Sequence, residues 1–185
     1  MPMSLRLPII TRRLHLRDFG TPDVDAVFAY AADPAVAEHM FHAPWSHAQA
    51  AAYVEGLLTS QHTVPRRLWE LAIVERSGGA LIGSVDLTPE GDDAADLGYV
   101  LARPAWGRGV ASEAAGAMLD AGFARLGLRR ISAMCAVENV ASRRVLEKIG
   151  LRHVDTVQRY RQAKGRDFDV HRFELRRTEW SPRTR

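Results

Sequence analysis

The chain has 185 residues, 46% of them hydrophobic and 25% charged, with 25 Lys and Arg against 22 Asp and Glu for a formal net charge of +3. That balance fits one soluble globular domain and excludes wholesale disorder; so small a charge argues against a nucleic-acid protein, and no apolar run approaches the roughly 20 residues of a membrane helix. A single cysteine, Cys135, excludes an internal disulfide, and residues 1–10 lack the apolar core of a secretory leader, so a cytoplasmic protein is expected.

Residues 11–17 alternate, with Leu14 and Leu16 to one side and Arg13, His15 and Arg17 to the other, as in a half-buried strand. Thr21-Pro22-Asp23 predicts a helix start, with Thr21 as N-cap and Pro22 at the first helical position. Val24, Val27, Phe28 and Ala31 form the apolar face of that helix, and Asp33-Pro34 ends it. Residues 35–45 show no clear period. Ser46 caps a second helix carrying Ala50, Tyr53, Val54 and Leu57 on one face, and 59–67 reads as loop.

Residues 68–75 and 81–87 are strands joined across Ser77-Gly78-Gly79. A polar loop, 88–95, leads to a central strand beginning near Asp96. The helix after it runs from about Gly109 to Leu126, with Val110, Ala114, Ala117, Met118, Ala121 and Phe123 inward and Gly127 beyond its end. Residues 131–137 form the next strand, parallel to the Asp96 strand because one helix connects them. Asn139 caps a short helix ending at Lys148. Residues 154–158 and 169–175 form a last antiparallel pair around an Arg- and Lys-rich loop, 159–166, and 181–185 should fray. The reading is one α/β domain (α+β in that its sheet is mixed) over 1–185, without repeat or linker.

Trp106-Gly107-Arg108-Gly109-Val110-Ala111 lies where strand becomes helix. A helix N-terminus leaves backbone N–H groups bare and its dipole favours anions. Gly107 and Gly109 let backbone approach a ligand closely, and Arg108 adds a cation. A dinucleotide fingerprint would need glycine where Ser112 stands, and no G-x-x-x-x-G-K-[ST] run exists. The hexapeptide by itself is therefore either a pyrophosphate cradle or a tight turn whose glycines serve positive φ. Asn139 and Ser142, three apart, share a face at the start of the next helix. Each alone is explained as an N-cap or a polar first-turn residue.

Together these residues resemble the GNAT superfamily of acyl-CoA-dependent N-acetyltransferases, nearest to its ribosomal-protein N-terminal acetyltransferase branch. The resemblance rests on Leu97-Gly98-Tyr99, Pro104, the W-G-R-G-V-A turn, Glu113-Ala114, Asn139, Ser142 and Lys148-Ile149-Gly150, with Thr11-Arg12-Arg13-Leu14 and Leu81-Ile82-Gly83 earlier. It spans nearly the whole chain. Trp106 stands where the superfamily usually has Gln or Arg, as is common in this branch, and Leu146 stands near the position of a Tyr acid in many members. The resemblance implies a GNAT-like fold, a splayed mixed sheet flanked by helices, with acetyl-CoA as co-substrate and no metal. The pantetheine arm would lie between the Asp96 and Ile131 strands and pair with backbone at Val100, Leu101 and Ala102. Trp106, Gly107, Arg108, Gly109, Val110, Ala111 and Ser112 would surround the pyrophosphate, and Asn139 and Ser142 would lie near the arm and thioester. Residues of about 11–67 would serve the acceptor, 68–151 the cofactor, and 152–177 would be a C-terminal strand pair.

The implied chemistry is attack of a primary amine on a thioester, the amine being a protein N-terminus or a small molecule, antibiotics included. The catalytic candidates are Asp96, Ser142 and Asn139. Asp96 is either a base, direct or through water, or a carboxylate that merely caps its strand. Backbone N–H near Val100 or Leu101 would hold the oxyanion, and Ser142 would hydrogen-bond the departing sulfur. The branch that the chain resembles often carries Glu where Asp96 stands; this shortened acid and the missing Tyr motivate an alternative, an acyl-CoA-binding module without catalysis. His39, His42 and His47 lack the carboxylate partner of a metal motif and are expected to line the acceptor cleft or cover core. Cys135 reads as a buried thiol. Glu90, Asp92, Asp93 and Asp96 make an acidic patch able to attract a cationic amine, and 159–166 lacks the aromatic platform of a nucleic-acid site. The expected partners are acetyl-CoA and an amine, not nucleic acid or membrane, in a monomer or homodimer.

Overall fold

Alternation of side chains along the strands divides the interior into two layers. The structure, a computed structural model, describes residues 4–182. Its elements are β1 (Ile9–Ile10), β2 (Leu14–Arg17), α1 (Val24–Ala31), α2 (Pro34–Glu38), α3 (His47–Gln61), β3 (Trp69–Glu75), β4 (Leu81–Pro89), β5 (Ala94–Leu101), α4 (Val110–Ala124), β6 (Arg130–Ala136), α5 (Val140–Lys148), β7 (Arg152–Ala163) and β8 (Arg166–Arg176). The strands form one sheet in the order β1-β2-β3-β4-β5-β6-β8-β7. On one face, Leu71, Ile73, Leu97, Leu101 and Ile131 pack with Val110, Ala114, Met118 and Phe123 of α4 and Leu146 of α5. On the other, Ala72 and Val74 pack with Val27 and Tyr30 of α1 and Ala50, Val54 and Leu57 of α3. Helix α4 lies close to the sheet because Gly122 is there: a Cβ on it would come within 2.8 Å of Ile131 Cδ1.

The parallel pair is short. β5 pairs with β6 only at Ala94↔Arg130, Ala95↔Ile131 and Asp96↔Ser132. Beyond Asp96, β5 stays with β4 as far as Gly83↔Leu101, and β6 stays with β8 as far as Ala136↔Val170. The sheet therefore opens between β5 and β6, with α5 over the far side of the gap.

Several boundaries differ from the sequence reading. Thr21 is not the N-cap; it lies inside a 3-10 turn (Thr21–Asp23) that Gly20 precedes, and Asp23 accepts from Gly20 N (2.8 Å) and from Arg17 (2.7 and 2.8 Å). Asp33 both ends α1 and caps α2, its Oδ1 accepting from Ala35 N at 2.8 Å. Ser46 caps α3 as expected, through reciprocal bonds with Gln49; the helix then runs to Gln61, through residues read as loop. Thr88 and Pro89 are not loop either, since they pair with Asp96 and Ala95. Likewise, most of 159–166 is strand, turning only at Lys164 and Gly165, which both have positive φ. Local composition favoured loops at these places; pairing across the sheet overrode it. Of the tail expected to fray, Ser181 and Pro182 carry no regular structure, and 183–185 lie outside the described residues.

One glycine holds the β4–β5 register at the mouth of the gap. β4 carries an extra residue between the pairs Ile73↔Gly83 and Val74↔Leu81. A Cβ on Gly83 would sit 2.1 Å from the Val100 carbonyl oxygen. Gly83→Ala should therefore destabilise the protein by about 3 kcal/mol or more, read as a lower denaturant midpoint; an unchanged midpoint would show that the strands separate there without cost.

Candidate functional site

The glycine turn is built by its surroundings as much as by its glycines. Gly107 and Gly109 have φ of +70° and +73°, and Gly109 is the N-cap of α4 with no side chain capping it. The N–H groups of the first helical turn, Val110, Ala111 and Ser112, thus have no carbonyl four residues back to bond. Trp106 Nε1 donates to the Leu101 carbonyl (2.9 Å), fixing the turn to the end of β5. Glu113 accepts from Thr11 Oγ1 (2.7 Å), Arg13 N (2.8 Å) and Arg13 Nε (2.7 Å), and Arg13 also donates to the Arg108 carbonyl at 2.8 Å. Burial works against the Glu113 carboxylate, but the bonds from Thr11 and Arg13 outweigh it and hold its pKa below the usual value. The Arg108 guanidinium is turned to Glu75, 2.6 Å away. It is not the cation that the sequence reading placed in the cradle; Arg144 of α5 lines the cleft instead, together with Gly107, Gly109, Ala111 and Ser112. This cleft has a volume of about 360 Å³.

From there the gap between β5 and β6 leads through the sheet. Antiparallel pairing gives alternate residues of β5 to β4, as in Ala102 N to Ile82 O at 2.8 Å. The alternation turns the backbone groups of Tyr99 and Leu101 toward the gap, and those of Val100 and Ala102 away from it. Of the stretch expected to pair with a ligand, only Leu101 is therefore aimed correctly, and its carbonyl is taken by Trp106. On the α5 side, Asn139 Oδ1 accepts from Ser142 N (3.0 Å), so Asn139 is an N-cap whose amide nitrogen is left over. Ser142 Oγ and Tyr99 Oη lie 2.7 Å apart. Cys135 beside them is buried, and burial pushes its thiol up to about 11, so it is a neutral thiol.

The opposite side of the gap is a cavity of about 520 Å³ with an acidic floor. Glu70 of β3 faces Asp86 of β4 directly, and Asp86 lies beside Gly98, where a Cβ would stand 2.3 Å from its Oδ1. Two residues along β5 is Asp96, 3.2 Å from Ser132 Oγ. Burial, reinforced by the neighbouring Asp86, pushes Glu70 up to about 8; burial pushes Asp86 to about 6, and burial with nearby Glu90 pushes Asp96 to about 6. Tyr53 Oη donates to Glu70. Tyr30, His39, Phe41, His42, Trp45, Tyr53 and Tyr160 complete the walls.

The fold thus brings Asp96, Asn139 and Ser142 around one cavity, but Asp96 shares a sheet face with Val100, on the α1–α3 side, whereas Tyr99 packs against the core beneath α4 and α5. The expected acidic patch forms only in part. Asp92 pairs with Arg67 and Asp93 with Arg129, whereas Glu90, paired with Arg130, stays beside Asp96, both accepting from the Ser132 hydroxyl (3.0 and 3.2 Å); Asp96 also joins Glu70 and Asp86. His39 and His42 line the cavity, while His47 pairs with Asp25 at 2.9 Å. Sequence reasoning missed Glu70, Asp86, Tyr30, Tyr53 and Tyr99. The available signal was Glu70 itself, a charge at the head of a strand face that continues with Ala72 and Val74 and so faces core.

The chain is similar to known proteins over most of its length. The acetyltransferase (GNAT) domain family matches residues 13–152. The chain is 29% identical over 175 residues to the uncharacterised N-acetyltransferase p20 of Bacillus licheniformis, covering 94% of this chain and 98% of that one. The crystal structure of a GNAT-family acetyltransferase from Bacillus anthracis superposes with a TM-score of 0.83 at 26% identity, covering 92% of this chain and 99% of that one. RimL, a ribosomal alpha-N-protein acetyltransferase solved in complex with coenzyme A, superposes with a TM-score of 0.80 at 21% identity, covering 92% and 98%.

The acidic floor has a cost visible in stability. A carboxyl whose folded pKa is raised keeps its proton in the fold where the unfolded chain has already lost it, so stability is greatest at low pH and falls as pH rises between the two values. With unfolded values near 4 and folded values of about 6 to 8, Tm should fall by several degrees from pH 5 to pH 8. Glu70→Gln should flatten that slope in thermal melts, and an equally steep slope in the variant would show that Glu70 is ionised in the fold throughout.

Proposed function

The chain belongs to the GNAT acetyltransferase family and is an N-acetyltransferase; on that premise we propose that it carries an acetyl group from acetyl-CoA, lodged on the α4–α5 side of the gap, to a primary amine that enters the acidic cavity on the other side. The observation that carries the reading is the opening between β5 and β6, which joins an anion-binding helix end to a cavity floored by carboxylates. Acetyl-CoA supplies the activated thioester. The bare N–H groups of Val110, Ala111 and Ser112 fit its pyrophosphate, with Arg144 as the nearby cation. The edge of β5 at Tyr99 and Leu101 fits the amide groups of its arm.

Asp96 is the base in this reading. At a pKa of about 6 it is ionised at neutral pH yet basic enough to take a proton from an ammonium as the nitrogen attacks. The nitrogen–carbon bond forms and the carbon–sulfur bond breaks. The N–H of Tyr99, which also faces the gap and is three residues from Asp96 rather than the five of Leu101, meets the carbonyl oxygen as charge develops on it, and the sulfur departs hydrogen-bonded to Ser142, whose hydroxyl Tyr99 orients. The nitrogen of the adduct carries one proton more than the amide keeps; that second proton passes to the departing sulfur, which leaves as the thiol, while Asp96 gives the first to solvent. Asn139 holds Ser142 in place through the helix cap and is a positioning residue. The acceptor is a peptide N-terminus or a small amine, and the acidic floor favours a cationic one over a neutral or acidic one.

Two experiments test the reading. Ser112→Glu places a carboxylate at the third helical position, where it suits the helix dipole and leaves the fold intact while opposing the pyrophosphate. The dissociation constant for acetyl-CoA should rise at least tenfold with no fall in Tm, and unchanged affinity by calorimetry would remove the helix end from the site. Asp96→Asn should lower kcat by about 10²-fold or more and abolish the acidic limb of kcat/KM near pH 6; a retained limb would assign the base elsewhere.

A further inference from the structure

Three carboxylates are more than one attacking amine requires. Asp96 sits where β5 and β6 part, beside the place assigned to the thioester; Glu70 and Asp86 form a second group, across β4 from it. Directly opposed residues such as Glu70 and Asp86 have Cβ atoms about 5 Å apart, and a diagonal pair such as Asp86 and Asp96 is separated by about 7–8 Å. Among the described residues no Arg, Lys or His forms an ion pair with any of the three. The one Arg on the cavity wall, Arg161, lies 5.3 Å over the Phe41 ring. A pair of part-buried carboxyls without a counter-cation is costly unless something positive arrives.

A second, independent feature stands at the same spot. Tyr30 is 4% exposed and lines the cavity, and its buried phenol oxygen makes no hydrogen bond of good geometry, with the Ser84 hydroxyl close beside it. A buried polar atom left unpaired costs free energy that a ligand donor or acceptor can recover. The rings of Trp45 and Tyr53, packed edge to face with centroids 5.0 Å apart, line the cavity, and aromatic walls around an acidic floor suit an organic cation better than a hydrated metal ion.

We propose that Glu70 and Asp86, with Tyr30, Ser84 and Tyr53, form a subsite for a second cationic group on the acceptor, so that the preferred substrate is a dication whose attacking amine lies at Asp96 and whose other charge lies one strand away. The proposal rests on the acetyltransferase reading for its attacking amine. Two sources offer this chemistry: a free α,ω-diamine, or a peptide whose first residue carries a basic side chain.

The test is a set of acceptors matched in length, assayed for thiol release at saturating acetyl-CoA. The pairs are 1-aminopentane against 1,5-diaminopentane and Ala-Ala amide against Lys-Ala amide. In the wild-type protein kcat/KM should favour the dication of at least one pair by tenfold or more, and which pair shows it identifies the source. In Glu70→Gln and in Asp86→Asn the ratio should fall to within about threefold, with Tm confirming that each variant is folded. Turnover of both members of each pair at equal efficiency would overturn the subsite and leave the acetyltransferase standing, as would an undiminished ratio in both folded variants. If no amine turns over, calorimetric titration of the protein with the same four compounds decides. Tighter binding of a dication, lost in Glu70→Gln, supports the subsite even though the acetyltransferase reading of this cavity fails, and equal binding overturns it.

Discussion

β5 and β6 hold together for three residue pairs and then part, and most of what this molecule can do follows from that divergence. A parallel pair takes its register from a crossover helix, and here α4 is seated tightly by Gly122 against Ile131. The anchor at the bottom is firm, but each strand has a stronger antiparallel partner above it, β4 for β5 and β8 for β6. Following those partners, the two strands splay, and backbone groups that a closed sheet would consume are left facing a gap. α5 covers one side of the opening, and its N-terminal cap brings Ser142 to Tyr99.

The gap also explains an otherwise unfavourable set of charges. Three carboxyls on a sheet face that elsewhere packs against Val27, Ala50 and Val54 would not survive in a closed core, where an unpaired charge is among the most costly things to bury. Beside an open cavity they are tolerated, because Glu70 retains its proton at neutral pH and the charges on Asp86 and Asp96 face the cavity rather than sealed core. The surface carboxylates nearby behave differently: Asp92, Asp93 and Glu90 have arginines within reach, and exposed pairs of that kind contribute little to stability.

The glycine turn and the Asn139–Ser142 cap were legible in the sequence because their signals are local. Trp106 to Ser112 needs only the order of residues around one turn, and Asn139 with Ser142 needs only a helix period. The acidic cavity was not legible, because Glu70, Asp86 and Asp96 come from three strands and meet only through register. Residues 35–45 had no period because they hold one short helix and an aromatic corner whose partners, Tyr160 and Phe168, lie more than a hundred residues away. The same long-range pairing turned 159–166 from an expected loop into hairpin, with Lys164 reaching the carbonyls of Ala37 and Glu38 at 2.7 and 2.9 Å. Arg108 misled for a related reason: its charge is placed well in sequence and spent elsewhere in space, on Glu75.

Two clefts that meet at one gap have a further consequence for the order of events proposed above. If the reactants enter by different clefts, neither has to leave before the other binds, and no side chain is required to carry the acyl group in between. Steady-state rates should then follow a sequential rather than a ping-pong law. Because each product retreats by the door through which its parent came, each should compete with that parent and not with the other.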